Sequence, residues 1–292
     1  MTGGGPPRSS ARHRWLVALT LLVVTGAAIA AAVALAVRHV HHRRALPAPP
    51  PPAKIFRIIF PEGFTRAQMA QRVATVARIA DSEHHGRVKL SAGTYLAATR
   101  RARVPCMGTK VQPNLEGFLF PATYEFVAVT TSRQLARAQL VAFCRNWRSL
   151  GLAYAKSKNL TPLDVLTIAA MVEKEAQVPA ERPLIAAVVY NRLHARIPLG
   201  IDATLRYGLH IPPTKSILAS QLKNPTPYNT RLHAGLPPTP IANPGLASLR
   251  AAAHPAKVDY LYFVRKPDHR HHFFTSSSAA FNQYLCANGY GC

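Results

Sequence analysis

Only 12 Asp plus Glu residues stand against 36 Lys plus Arg in this chain of 292 residues, and every carboxylate lies at or beyond Glu62. A reaction that needs a carboxyl group therefore has a short set of candidates. Two of them, Glu173 and Glu175, close the stretch N-L-T-P-L-D-V-L-T-I-A-A-M-V-E-K-E-A-Q over residues 159–177. Thr161 suits an N-cap, Pro162 the first helical position, and Asp164 completes a capping-box-like arrangement, so the start and phase of this helix are fixed. At about 100° per residue, Ile168, Met171, Val172 and Glu175 share one face, while Glu173 lies about 160° away on a flank beside Leu166 and Ala169. A carboxyl on an apolar face keeps its proton to higher pH, because desolvation penalises the anion. That is the state required of a general acid, as in cleavage of a glycosidic bond. The competing reading is a Glu175 salt bridge to Arg182 or Arg192 that merely joins two helices.

Asp202 is the other acid near in sequence, in an irregular stretch over 199–208 that also carries Thr204 and Tyr207. It reads equally as an Asx turn or helix cap and as a substrate ligand. Residues 183–195 predict a second helix with Leu184, Ile185, Val188, Val189 and Leu193 on its core stripe and Tyr190, Asn191 and Arg192 near its end. Next come P-T-P-Y-N-T (225–230) and G-L-P-P-T-P-I-A-N-P-G (235–245). A long Pro-rich connection without periodicity inside a compact domain marks a functional or disordered loop. A short helix over 246–253 and a hairpin over 260–264 and 272–275 follow. Asp268, His269, His271 and His272 invite a metal reading, but clustered His at a turn tip is ordinarily solvated, and no metal or other cofactor is expected.

These positions need a scaffold. The 48% apolar content excludes a wholly disordered protein. Residues 1–14 are Gly-, Pro- and Arg-rich, and residues 15–37 carry no charged side chain. The latter would make a helix of about 34 Å, enough for a hydrocarbon core of about 30 Å. The basic run after Val37 favours a retained transmembrane helix over a cleaved signal peptide. Flanking charges tie at Arg8, Arg12 and Arg14 against Arg38, Arg43 and Arg44, so charge leaves the orientation open. A basic, Pro-rich linker over 38–53 then stands as a stiff spacer. A small segment over 54–111 reads as β-α-β: strand 55–60, helix 65–80 capped by Thr65, strand 88–95. Residues 112–292 form the main domain, and the fold class is α+β. Cys106, Cys144, Cys286 and Cys292 include no C-x-x-C pair and are compatible with up to two disulfides in an oxidising compartment, the last two closing a terminal loop. The formal charge of +24 raises nucleic acid. The basic residues are dispersed and carry no nucleic-acid signature, so an anionic polymer or lipid is the wider class.

M-V-E-K-E-A (171–176), Y-N-R-L (190–193), D-A-T-L-R-Y-G (202–208), P-Y-N-T (227–230), G-L-P-P-T-P-I-A-N-P-G (235–245), A-A-A-H-P-A (251–256) and Y-L-Y-F-V (260–264) occur in this order. Together with P-E-G-F-T (61–65) and L-E-G-F-L-F-P-A-T-Y (115–124), they resemble the endolytic murein transglycosylases, the YceG-like or MltG family. The resemblance implies a YceG-like catalytic domain over 112–292 and a truncated LysM-like module over 54–111. It also implies a cytoplasmic tail over 1–14, a single inner-membrane span and an extracytoplasmic C-terminal domain. The implied activity is lytic cleavage of the MurNAc–GlcNAc bond in nascent peptidoglycan, beside the synthases, with Glu175 as the catalytic acid. Asp202, Thr204, Tyr207, Tyr228, Asn229 and Asn243 match family motifs and are the expected glycan-groove residues. The chain departs from the family at Ala203, where Pro is usual, and at Phe281, where the closing pattern has His. The rival from another class is a membrane-anchored, non-catalytic cell-wall scaffold for the synthases.

Overall fold

The structure is a computed structural model that describes residues 10–41, 52–83, 88–108 and 110–290. Most of the predicted Pro-rich linker lies outside the described residues, as does Cys292. Two compact units are present, Met1–Pro52 and Ala53–Cys292. The first is carried by α1 (Ser10–His41), which extends the predicted apolar span at both ends. Among the described residues it is the one helix long and apolar enough to cross a membrane, by length and composition.

The second unit begins with β1 (Phe56–Ile59) and α2 (Arg66–Glu83). Thr65 starts α2 as predicted: its Oγ1 accepts from the Gln68 N–H and the Gln68 side chain accepts from the Thr65 N–H, at 3.2 and 2.8 Å. The second strand expected over 88–95 is not formed. Ser91 has an extended backbone and accepts from the Thr94 N–H, starting helix α3 (Ala92–Ala98). After the short pair β2 (Ala102–Arg103) and β3 (Val111–Gln112), strand β4 (Thr123–Phe126) supplies the antiparallel partner of β1, with Phe56 opposite Phe126 and Ile59 opposite Thr123. Because β4 lies beyond residue 111, no self-contained β-α-β module closes over 54–111 among the described residues. That segment packs into the same unit as the rest.

Helix α4 (Ser132–Trp147) is opened by a Thr131–Gln134 capping box, and α5 (Ala153–Ser157) follows it. Then comes α6 (Pro162–Glu175), with the predicted Thr161–Asp164 box and Pro162 in its first turn. Val165 to Val172 are buried without interruption, so α6 is enclosed on all sides rather than along one stripe. Its neighbours are α7 (Arg182–Ala195) and α10, reached through α8 (Asp202–Gly208) and α9 (Ala219–Leu222). Helix α10 (Leu246–Ala253) presents Ala251, Ala252 and Ala253 to the core, and with Ala169 and Ala170 of α6 these small side chains permit close approach. Burial of Leu166, Ile168 and Met171, each fully enclosed, contributes about 1.5–3 kcal/mol apiece.

The predicted hairpin is β5 (Tyr262–Arg265) and β6 (His272–Thr275), and α11 (Ser278–Ala287) follows. The Y-N-R-L motif holds it: Asn191 Nδ2 donates to the Val258 and Tyr260 carbonyls at 2.9 Å, and Arg192 Nε donates to the Leu261 carbonyl. His272 does not share the solvated turn tip. It is buried, with Nδ1 at 2.7 Å from Glu181 and its backbone N–H donating to the same carboxylate. His271 pairs instead with Asp268, and among the described residues no group of three His, Cys, Asp or Glu could hold a metal.

A disulfide joins Cys106, in the turn after β2, to Cys144 of α4 across 38 residues of sequence. Closing a loop of that length restricts the unfolded chain and contributes about 2–4 kcal/mol. The double variant Cys106→Ser/Cys144→Ser is expected to lose that amount, read as a lower urea midpoint with a steeper slope, because its unfolded chain is less compact.

Candidate active site

Glu175 is the last residue of α6 and partly exposed. No ion pair reaches it among the described residues. The two arginines that could have neutralised it are otherwise engaged. Arg182 faces Glu173 at 3.9 Å and donates to Ser248 Oγ at 3.1 Å. Arg192 donates to the carbonyls of Pro198, Leu199 and Leu261 and lies over the Tyr262 ring. Glu175 is therefore not the interhelical salt bridge of the competing reading.

Burial pushes the Glu175 carboxyl above its ordinary range, and the Asp202 carboxylate pushes it the same way. Arg265 at the end of β5, a hydrogen bond from the Ala203 backbone and Lys174 all act in the opposite direction without being the leading influence. The C-terminal end of α6 adds partial negative charge, which also disfavours the anion. The product is a carboxyl group biased toward its protonated form, with a backbone donor already in place for the ionised form.

Glu173 has a different environment from the one phase suggested. Its side chain is 7% exposed and its carboxylate accepts from the Gly245 N–H at 3.0 Å, besides facing Arg182. The flank assigned to it from periodicity is covered by the 240–245 loop, which the helix pattern alone does not reveal. Glu62 lies against the same glycine: a Cβ at Gly245 would sit 1.8 Å from Glu62 Oε1. Burial raises the Glu62 carboxyl, and the charge of Glu173 adds to the effect.

The stretch 202–208, read from sequence as irregular, is helix α8. Asp202 at its first turn is exposed, ion-paired with Arg231, and close enough to Glu175 to bias it. Tyr207 and Tyr228 are half-buried, ring centroids 5.1 Å apart. Tyr228 shares a 2.8 Å hydrogen bond with Thr239, and the Tyr207 hydroxyl donates to Glu116 at 3.1 Å. The remaining three expected groove residues are turned inward. Thr204, fully buried, donates to the Ile201 carbonyl at 2.7 Å and meets Thr230 at 3.0 Å. Asn229 donates to the Leu222 and Asn224 carbonyls and accepts from the Arg231 N–H, shaping the P-Y-N-T loop. Asn243 donates to the Phe64 carbonyl and to Glu116 Oε1 and accepts from the Leu119 N–H, all between 2.9 and 3.0 Å. In this geometry these three side chains hold the walls together rather than face a ligand.

Glu116 was not among the sequence candidates. It is 4% exposed and accepts from the Arg66 N–H, Asn243 and Tyr207. The available signal was its position in L-E-G-F-L-F-P, an acid within an otherwise apolar run.

A sequence model of the YceG-like family matches residues 36–286 of the chain. An endolytic murein transglycosylase of Bacillus subtilis (strain 168) is 33% identical over 218 residues, covering 72% of this chain and 59% of that protein. One of Streptococcus pneumoniae (strain ATCC BAA-255 / R6) is 33% identical over 226 residues, covering 71% of this chain and 40% of that protein. The chain thus spans between 40% and 59% of the length of these curated relatives. The crystal structure of a yceG-like protein from Listeria monocytogenes aligns with a TM-score of 0.59 at 28% identity, covering 80% of this chain and 76% of that one. From the extent of the match and the shared fold, the chain belongs to the YceG-like family.

Proposed function

We propose that the protein is a membrane-anchored lytic transglycosylase that cleaves MurNAc-β-1,4-GlcNAc bonds within nascent peptidoglycan strands. The observation that carries this reading is the state of Glu175: a desolvated carboxyl with no ion-pair partner among the described residues, biased toward its acid form at the end of a rigid, enclosed helix. The name carried by the relatives from Bacillus and Streptococcus supports the same chemistry.

In the proposed reaction Glu175 donates its proton to the glycosidic oxygen as the bond from that oxygen to C1 of the MurNAc breaks. The C6 hydroxyl of the same sugar attacks C1 and closes a 1,6-anhydro ring. Its proton passes to the Glu175 carboxylate, which restores the starting state. No water is consumed. The nucleophile belongs to the substrate and is already held in position, so a second carboxylate of the hydrolase type is unnecessary. The Ala203 N–H stabilises the carboxylate during the interval in which it is ionised. After burial, the Asp202 carboxylate is the next influence raising the Glu175 carboxyl, and in this reading exposed Asp202 and half-buried Tyr207 and Tyr228 are the glycan contacts.

In this reading α1 anchors the chain with its catalytic domain outside the cytoplasmic membrane, where the glycan strands are made, and synthases are the neighbouring proteins. A basic chain suits a site bounded by anionic lipid and acidic wall polymer.

Glu175→Gln keeps size and hydrogen-bonding capacity but has no proton to give. Release of 1,6-anhydro-muropeptides from purified glycan strands is expected to fall about 10²–10⁴-fold, measured by mass spectrometry of the products. Reducing ends instead of anhydro ends in the wild-type digest would identify a hydrolase, and an unchanged digest a scaffold. Asp202→Asn removes the anion that helps keep Glu175 protonated. Because the active form is the protonated one, the alkaline limb of the pH–rate profile is expected to move to lower pH. A limb that stays in place would separate Asp202 from the acid.

A further inference from the structure

Two routes of hydrogen bonds lead from the end of α6 to one buried carboxylate. Along the first, Tyr207 of α8 donates to Glu116 Oε2 at 3.1 Å. Tyr207 stands four residues, about one helical turn, beyond Ala203, whose backbone hydrogen-bonds Glu175, and α8 begins at Asp202. Along the second, Asn243 donates to Glu116 Oε1 at 3.0 Å. Its own carbonyl accepts from the Gly63 N–H at 2.9 Å, and the Gly63 carbonyl accepts from Lys174 Nζ at 3.3 Å. Two residues further on, the Gly245 N–H donates to Glu173. Both residues that precede Glu175 in α6 are thereby tied to the loop Asn243 fixes, and α8 is tied to the same carboxylate from the other side. The Arg66 N–H, contacting both oxygens at 2.9 and 3.1 Å, holds Glu116 itself at the start of α2.

We propose that Glu116 is a positioning residue of the active site: its ionised carboxylate fixes α8 against the last turn of α6 and so sets the Ala203 donor and the Asp202 charge at Glu175. The proposal rests on the transglycosylase reading for its kinetic test. Its chemistry follows from the donor set. An ionised carboxylate only accepts, and all three of its neighbours present a hydrogen to it. A protonated carboxyl carries a hydrogen of its own. The Arg66 N–H and the Asn243 amide nitrogen cannot accept it, while a tyrosine hydroxyl can. Protonation therefore acts first on the Tyr207 link, which is the link to α8. The charged and titratable groups facing Glu116 are Arg66 of α2, Tyr95 of α3 and Tyr207 of α8; the 240–245 loop presents the neutral Asn243. Burial outweighs these bonds and raises the carboxyl to about 7. The working, ionised form is thus the costly one, and acidification through neutral pH exchanges its charge-assisted bond to Tyr207 for a weaker neutral one.

The test compares the full-length wild type with Glu116→Gln and Tyr207→Phe, using release of anhydro-muropeptides from glycan strands as a function of pH. The wild type is expected to show an acid limb near pH 7 in turnover. Glu116→Gln is expected to turn over about tenfold more slowly above pH 8, at a KM within twofold of wild type, and without that acid limb. Tyr207→Phe retains the other two donors and is expected to fold. Its turnover falls severalfold, and amide exchange in 202–209 rises relative to 162–175. A Glu116→Gln protein that melts cooperatively and keeps either the wild-type rate or the wild-type acid limb would overturn the proposal. So would an unchanged rate and exchange pattern in Tyr207→Phe, which decides the matter if Glu116→Gln does not fold.

A readout independent of activity accompanies these. A folded-state value near 7 above the ordinary 4.5 means that the fold binds an extra proton between them. The wild type therefore gains stability as pH falls through that window, and Glu116→Gln lacks the gain. Equal melting-temperature profiles for the two proteins would also overturn the proposal. Absence of anhydro products from the wild type, with the exchange and stability differences intact, would sink the transglycosylase reading and leave the role of Glu116 in placing α8 standing.

Discussion

The enclosure of α6 on every side is the constraint around which the second unit, Ala53–Cys292, is arranged. Eight consecutive buried residues, Val165 to Val172, leave the helix no solvent face along its middle. Polar groups can be presented only where the enclosing layer ends, and that is the C-terminal turn. The opposite end is spent on the Thr161–Asp164 capping box. Helices α7 and α10 supply the layer, and small residues on α10 and α6 set how closely they approach. A rigid rod with one exposed end suits acid catalysis, since the proton donor has to be held to a fraction of an ångström while the substrate is distorted around it. The carboxyl cannot retreat into the core, because the core is full.

Two glutamates two residues apart emerge at that end with different environments, and the difference lies in the supply of partners rather than in the helix. Glu173 takes Arg182 and the Gly245 N–H. Glu175 forms no ion pair among the described residues: Arg192 is bound to backbone carbonyls, and Arg231 to Asp202. Arg265 stands at the mouth of the site on the hairpin and moderates the Glu175 carboxyl without pairing with it. In a chain with three times as many basic as acidic side chains, an unpaired carboxyl is a constructed condition. Arg192 is drawn off by the loop carbonyls of Pro198, Leu199 and Leu261, Arg182 by Glu173 and Ser248, and Arg231 by Asp202.

Much of this was readable from local pattern. The Thr-initiated helices announce themselves because a capping box is completed within four residues. The span of α10 and the hairpin follow from short-range periodicity in the same way. The pairing of β1 with β4 was not readable, since the partner lies beyond α2 and α3 and nothing in the 55–60 segment specifies it. The helix α3 was misread as a strand because Val88 and Leu90 look extended, whereas the decisive residue is Ser91 with its cap to Thr94. Helical phase puts Glu173 and Glu175 on different faces but ranks their burial by the helix alone. Burial at a helix end is set by the loops that arrive there, here residues 240–245.

The same limit explains why Thr204, Asn229 and Asn243 look like ligand-binding residues in the sequence. Their match to family motifs carries the substrate reading, yet a loop that must be rigid without secondary structure needs polar side chains to pair its buried backbone. Asn243 satisfies the Leu119 N–H and the Phe64 carbonyl from one amide, and Asn229 does the same work for two carbonyls and the Arg231 N–H. Gly117 shows how tight the resulting assembly is: its φ of +88° is left-handed, and a Cβ there would stand 2.6 Å from Pro240. Pro-rich loops cannot donate from their prolines, so the few donors they retain must be placed by side chains from elsewhere in the sequence. The motifs that look most like a binding site are, for that reason, largely the ones that hold it in shape. In the proposed reading the chemistry falls to a single carboxyl, Glu175, which forms no ion pair among the described residues.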